Sequence, residues 1–326
     1  MLLDRFNREH TYLRISLTDQ CNFRCTYCMP FENMQFMPNH ELMQRNEIYE
    51  LAKVFVDHGI NKIRLTGGEP LVRKDFASIA TALSDLPVEL TMTTNGVLLD
   101  KYLQDIKSAG MKSINISLDT LNPERFKEIT KRDHFQRVWD NILLMLAEGF
   151  KVKINAVAKK GWIDKELLDF ISLTKDLPLH VRFIEFMPFD GNLWASKDVI
   201  TANQMLKLAA SKFSIEKLKD PPHDTAKKYK VTGFMGTFAF ITTMSEHFCS
   251  SCNRLRLTAD GKLKNCLFGK DEIDLLSAFR QGTDIVPLIK KGVLKKHAVM
   301  GGQFPVEFTN INTDDIENRS MISIGG

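Results

Sequence analysis

The stretch Lys62-Ile63-Arg64-Leu65-Thr66-Gly67-Gly68-Glu69-Pro70 alternates polar and apolar residues for five positions and then breaks at two glycines. Side chains two apart share one face of a strand, so Lys62, Arg64 and Thr66 line one surface while Ile63 and Leu65 line the other. Five further strand-like runs occur at 13–17, 90–94, 113–117, 152–157 and 181–186. Helical stretches separate them, among them 46–58, 75–83 and 136–148. Gly59, Gly110 and Gly149 stand where such helices need a carboxyl-terminal cap. Six strand–helix repeats predict a parallel sheet with helices outside.

Parallel strands covered on both faces are normally apolar throughout. Here one face is polar in strand after strand: Arg14 and Ser16, Lys62 with Arg64 and Thr66, Thr91 and Thr93, Asn115 and Ser117, Lys153 and Asn155. A closed eight-stranded barrel would fill its interior with packed side chains. The expectation is therefore an α/β fold, an open partial (β/α)6 TIM-like barrel around a wet, basic cavity. The alternative is a sheet with one face open to solvent, which is rare for parallel strands with outer helices. Arg14, Lys62, Arg64, Lys153 and Arg182 converging in one cavity call for a polyanion.

Neither a Gly-x4-Gly-Lys-Ser/Thr loop nor a Gly-x-Gly-x-x-Gly after a strand is present, so side chains would hold that anion. Arginine suits the task because its planar fork bonds phosphate oxygens bidentately. At the end of the opening stretch, Gly67 and Gly68 allow the backbone to approach a ligand closely. Carboxyl ends of barrel strands are where such sites are built. Alternation is lost over 189–225, and Pro221-Pro222 marks a connection out of the barrel. The expected division is a barrel at 1–190 and a smaller C-terminal α+β unit at 191–326.

All six cysteines fall into two triplets. Cys21, Cys25 and Cys28 lie on one short loop without strong periodicity, able to curl three sulfurs around one centre. A cubane cluster that only carries electrons takes four thiolates, so three leave one iron free to bind something else. Structural zinc wants a fourth ligand, which does not follow nearby. Cys249, Cys252 and Cys266 form the second triplet, with Asp260-Gly261 as a hairpin turn that returns Cys266 towards the other two. Arg254 and Arg256 share a strand face beside it. Three readings stand: zinc with His247 as fourth ligand, a structural or electron-relay cluster, or a second open cluster that binds an anionic substrate.

At 326 residues, 44% hydrophobic and a net charge of +4, the chain can bury a large core. Its bulk charge argues for neither a nucleic acid nor a membrane surface. The first ten residues mix charges of both signs, unlike a secretory signal, and no run approaches the ~20 apolar residues of a membrane span. The expected location is the cytoplasm, where thiols stay reduced.

Cys-x3-Cys-x2-Cys with Tyr27 before the third cysteine resembles the radical S-adenosylmethionine superfamily. Gly-Gly-Glu-Pro at 67–70, Cys-x2-Cys-Asn-Arg-Leu-Arg-Leu from Cys249, Cys266 and the pair Gly325-Gly326 together resemble the GTP 3',8-cyclase family within it. That resemblance implies two [4Fe-4S] clusters, on Cys21, Cys25 and Cys28 and on Cys249, Cys252 and Cys266, with S-adenosylmethionine as cosubstrate. It implies that Tyr27, Gly68, Ser117 and Met187 contact S-adenosylmethionine. It assigns Arg14, Lys62, Arg64, Thr93, Lys153, Arg182, Arg254, Leu255 and Arg256 to GTP, and catalysis to Arg14, Arg254, Arg256, Gly325 and Gly326. The implied reaction converts GTP to 3',8-cyclo-7,8-dihydro-GTP, the first step of molybdenum cofactor synthesis. The implied partners are a reduced flavodoxin- or ferredoxin-type donor and cyclic pyranopterin monophosphate synthase downstream, with a homodimer left open. A radical peptide-modifying enzyme with an auxiliary cluster is the runner-up, and a non-catalytic iron-sulfur or zinc protein the bland alternative.

Overall fold

Alternating aliphatic residues bury one face of each strand, and that face sets the layers. In the computed structural model, which describes residues 1–29, 34–304 and 307–325, the six expected strands are β1 (Tyr12–Ser16), β2 (Lys62–Thr66), β3 (Glu89–Thr94), β4 (Ser113–Ser117), β5 (Lys151–Ala158) and β6 (His180–Glu185). Leu13, Ile15, Ile63, Leu65, Ile114, Ile116, Ile154 and Val181 are all buried within one apolar core. Against it pack α1 (Arg45–Asp57), α2 (Phe76–Ser84), α3 (Leu99–Ser108), α4 (Pro123–Thr130), α5 (Phe135–Ala147) and α6 (Ile163–Ser172). Gly59, Gly110 and Gly149 sit just past α1, α3 and α5 at φ of 107°, 67° and 80°, a left-handed backbone that glycine adopts without steric cost.

Beyond 190 come α7 (Ala202–Ala210), β7 (Ile215–Lys217), β8 (Ala226–Val231), β9 (Thr237–Ile241), β10 (Arg254–Leu257), β11 (Lys262–Lys264) and β12 (Ile273–Asp274). These strands do not build a sheet of their own. Sheet order is β12-β11-β10-β1-β2-β3-β4-β5-β6-β9-β8-β7. β10 pairs parallel with β1, and β9 pairs parallel with β6, so the C-terminal residues extend the barrel at both flanks. The two outer edges stay unjoined, which leaves the barrel open. α7 and β7 fall inside 189–225, where the sequence promised only a connection. A capping box between Thr201 and Gln204 starts α7 and was the available signal.

Candidate active site

Register builds the site before any side chain is considered. Arg254, Tyr12 and Lys62 stand level on β10, β1 and β2, and Arg256, Arg14 and Arg64 stand level one step further along. On the other side Asn115 is level with Lys153, and Asn155 with Arg182. All of these line one cavity of about 540 Å³, within the usual range for a site that encloses a small organic ligand. Leu255 does not join them. It alternates with the two arginines, so its side chain turns into the core beside Leu13, a correction to its expected place at the substrate.

Such crowding leaves the cations strained electrostatically. Burial and the neighbouring Arg256 hold Arg14 well below the usual guanidinium range. Burial with Arg64 beside it pulls Arg182 down to about 9, and burial with Arg182 and Arg64 pulls Lys153 down to about 8. Tyr12 accepts a hydrogen bond from Arg64 Nε. Burial alone would raise its hydroxyl, yet Arg64, Arg14 and Arg254 bring it down to about 7. Buried Arg182 Nε, Asn115 Oδ1 and Asn155 Oδ1 have no hydrogen-bond partner among the described residues. Unpaired buried polar atoms around a cavity are what a polar, anionic ligand would satisfy.

The two triplets stand at opposite ends of this cavity, and all six cysteines are free thiols lining it. Cys21 follows the carboxyl end of β1, whereas Cys252 precedes the amino end of β10, which runs parallel to β1. At the first end, burial pushes Cys21 up to about 12, and burial with mutual repulsion raises Cys25 and Cys28 as well. Such groups rest as neutral thiols, and holding all three as thiolates would take a bound cation, which suits an iron cluster. Phe23 N–H at 3.4 Å and Asn95 Nδ2 at 3.9 Å point at Cys21 Sγ. Among the described residues no His, Cys, Asp or Glu group of three converges as for a single ion. A cubane cluster, with its irons at separate corners, takes its thiolates farther apart.

Tyr27, Gly68, Ser117 and Met187 line the cavity together with the first triplet. Tyr27 donates to Asp119 at 2.6 Å. The glycines after β2 have a second reason to be glycine. A Cβ on Gly67 would lie 2.6 Å from the Thr18 carbonyl, and one on Gly68 would lie 2.4 Å from that of Gln20, on the backbone that leads into the cysteine loop. Glu69 is turned inward and joins the strand ends: it accepts from Leu71 N, from Thr94 Oγ1 at 2.7 Å and from Asn95 N at 2.6 Å.

Gly325 packs against the wall of the same cavity, where Met321 and Ile322 line it. Its carbonyl accepts from Arg256 Nη1 at 2.6 Å, and an added Cβ would meet Ser16 Cβ at 2.7 Å and Thr66 Oγ1 at 2.8 Å. Gly326 lies outside the described residues. Thr93 supports Arg64 through a 3.4 Å contact, and Lys62 pairs with Glu89 at 2.7 Å at the cavity rim. Sequence reasoning missed Tyr12 and Asp119 as site residues. Tyr12 was readable from its two-residue spacing to Arg14, whereas Asp119 lies beyond the end of β4 and carried no signal.

The sequence matches the radical SAM superfamily over residues 15–174 and the molybdenum cofactor synthesis C-terminal family over 179–300. It is 46% identical to the mitochondrial GTP 3',8-cyclase of Arabidopsis thaliana, over 100% of this chain and 84% of that one. It is 43% identical to GTP 3',8-cyclase of Desulforamulus reducens, over 90% of this chain and 94% of that one. The chain belongs to the GTP 3',8-cyclase family. It spans about half the length of other relatives, such as molybdenum cofactor biosynthesis protein 1 of Homo sapiens, at 45% identity and 51% coverage of that protein. In fold it resembles Streptococcus suis SuiB, with a TM-score of 0.61 at 14% identity, covering 84% of this chain and 67% of that one. That likeness shows the fold alone. No helix among the described residues is long and apolar enough to cross a membrane.

Proposed function

We propose that this chain is a radical S-adenosylmethionine enzyme that converts GTP to 3',8-cyclo-7,8-dihydro-GTP, opening molybdenum cofactor synthesis. One observation carries the reading: both cysteine triplets and the level rows of arginine and lysine line a single cavity. When bound on Cys21, Cys25 and Cys28, a [4Fe-4S] cluster supplies reductive cleavage of S-adenosylmethionine.

The rest is positioning by the chain. Tyr27, Gly68, Ser117 and Met187 hold the cosubstrate at the first pole, with Asp119 fixing the Tyr27 hydroxyl. Arg14, Arg64, Lys153 and Arg182, with Lys62 at the rim, hold the triphosphate between the poles and exclude water from the ribose. Arg254 and Arg256 orient the substrate beside the second triplet, where Cys249, Cys252 and Cys266 would hold a second [4Fe-4S] cluster with an open iron to offer the guanine. Gly325 braces Arg256 through its carbonyl, and the terminal glycine pair is needed for cyclisation in this reading. In this division residues 1–190 generate the radical and 191–326 aim it. A flavodoxin- or ferredoxin-type protein delivers the electron in a reducing compartment, the cytoplasm in our reading, and cyclic pyranopterin monophosphate synthase takes the product.

The deciding experiment is anaerobic incubation of the reduced protein with S-adenosylmethionine and GTP. A cyclised GTP product together with 5'-deoxyadenosine is expected. 5'-Deoxyadenosine without that product would remove the GTP assignment and keep the superfamily.

A further inference from the structure

The second triplet is gripped by residues far from it in sequence. Arg8 is buried, and all three nitrogens of its guanidinium donate: Nε to Asp4 Oδ2 at 2.6 Å, Nη1 to the carbonyls of Cys249 at 2.7 Å and Ala298 at 3.1 Å, and Nη2 to that of His297 at 2.7 Å. Asp4 is fixed in turn by Phe6 N–H at 2.8 Å, Arg8 N–H at 3.1 Å and the His10 ring at 3.2 Å. A tie that merely fastened a chain end could choose any carbonyls. These three belong to two loops that both touch the second triplet.

The 296–300 segment completes the pattern. Lys296 is only 2% exposed, and its Nζ approaches Cys252 Sγ at 3.5 Å while donating to the Arg254 carbonyl at 2.8 Å. Four residues on, Met300 N–H donates to Cys249 Sγ at 3.4 Å. One short segment thus points donors at two of the three sulfurs. Arg8 clamps its middle and the Cys249 carbonyl at once.

We propose that Arg8, set by Asp4 and His10, locks the 296–300 segment as a bracket that keeps the second triplet in cluster-binding shape and points N–H donors at its sulfurs. The proposal rests on reading that triplet as a cluster site. Donors to ligand sulfur set a cluster's potential, and groups that orient ligands govern metal retention. Arg8 is a positioning residue here, acting through Cys249 and the bracket.

The test uses the full chain, reconstituted anaerobically as wild type, Arg8→Gln, Arg8→Lys and Lys296→Met. Wild type should carry about eight irons and Arg8→Gln about four, because one of two four-iron centres is lost. The first cluster's paramagnetic resonance signal, and its response to S-adenosylmethionine, should survive in Arg8→Gln. In the metal-free protein, Cys249 should alkylate about tenfold faster in Arg8→Gln than in wild type, with Cys25 unchanged. Arg8→Lys should recover part of the iron, and Lys296→Met should keep it but reduce its second cluster at a more negative potential. Retention of the full iron content with an unchanged second-cluster signal in Arg8→Gln overturns the bracket. Parallel loss of both clusters does so too, since it makes Arg8 a residue of the whole fold. About four irons in wild type would instead remove the second cluster site, and the bracket with it.

Discussion

The two cysteine poles do similar work with opposite designs. At the first, three thiols share an eight-residue loop, and burial with mutual repulsion pushes their proton affinity up. At the second, burial raises Cys249 in the same direction, but at Cys252 Lys296 and Arg254 outweigh burial and bring the thiol down to about 7. The first pole depends on its metal to neutralise it. The second carries its own cations, gathered from residues 8, 254 and 296. The first triplet lies on one local loop, whereas the second, proposed to seat the substrate as well, is assembled from distant parts of the chain.

The sharpest break in that comparison is expected from paired serine substitutions. Cys25→Ser should abolish 5'-deoxyadenosine formation, while Cys252→Ser should keep it and abolish cyclised product, both read by chromatography of quenched anaerobic reactions. If both variants lost S-adenosylmethionine cleavage alike, the division of labour between the poles would fail.

Next in size is Arg256, which donates to the Gly325 carbonyl and is proposed to meet the substrate. Arg256→Gln should lower kcat/KM for GTP by about 10²–10³. Gly325→Ala forces a Cβ against Ser16 and Thr66 at a φ of 83°, a local strain of about 1–3 kcal/mol. The ratio of cyclised product to 5'-deoxyadenosine should fall, with the iron content unchanged.

A smaller effect is expected between the poles, at Tyr12. Its folded pKa, near 7, lies below the ordinary 10, so the stability from its ionisation is full above about pH 10 and fades as pH falls through about 7. The tyrosinate would compete with phosphate for Arg64 and Arg14. Ultraviolet titration of the substrate-free protein should reveal a tyrosine ionising near pH 7. GTP affinity should weaken above that pH, and Tyr12→Phe should remove both signals. Lys62→Met should have the least effect, because Lys62 shares its charge with exposed Glu89 at the rim. A rise in KM worth less than about 1 kcal/mol is expected.

Much of this was legible because strand alternation is a local property. The limits of β2 and β4 follow from polar–apolar spacing alone, and the polar face foretold a basic cavity. The cysteine loop was readable for the same reason, since its ligands are neighbours. Leu255 misled because a motif names consecutive residues, whereas a strand turns alternate ones away. Arg8, Lys296 and the sheet-wide pairing of β10 with β1 were not readable, because no local pattern records which distant backbone carbonyl or strand edge a residue will meet.

That last pairing has a consequence for how the molecule is made. Strand β1 is made well before β10, so one of its two edges waits for that strand, and Asn253 bonds Thr11 across 242 positions. Contacts of such separation form late, and an unpaired strand edge is a template for wrong partners. The nascent chain must therefore carry an incomplete barrel until β10 is made. The second iron-binding pole can come into existence only after that edge is sealed.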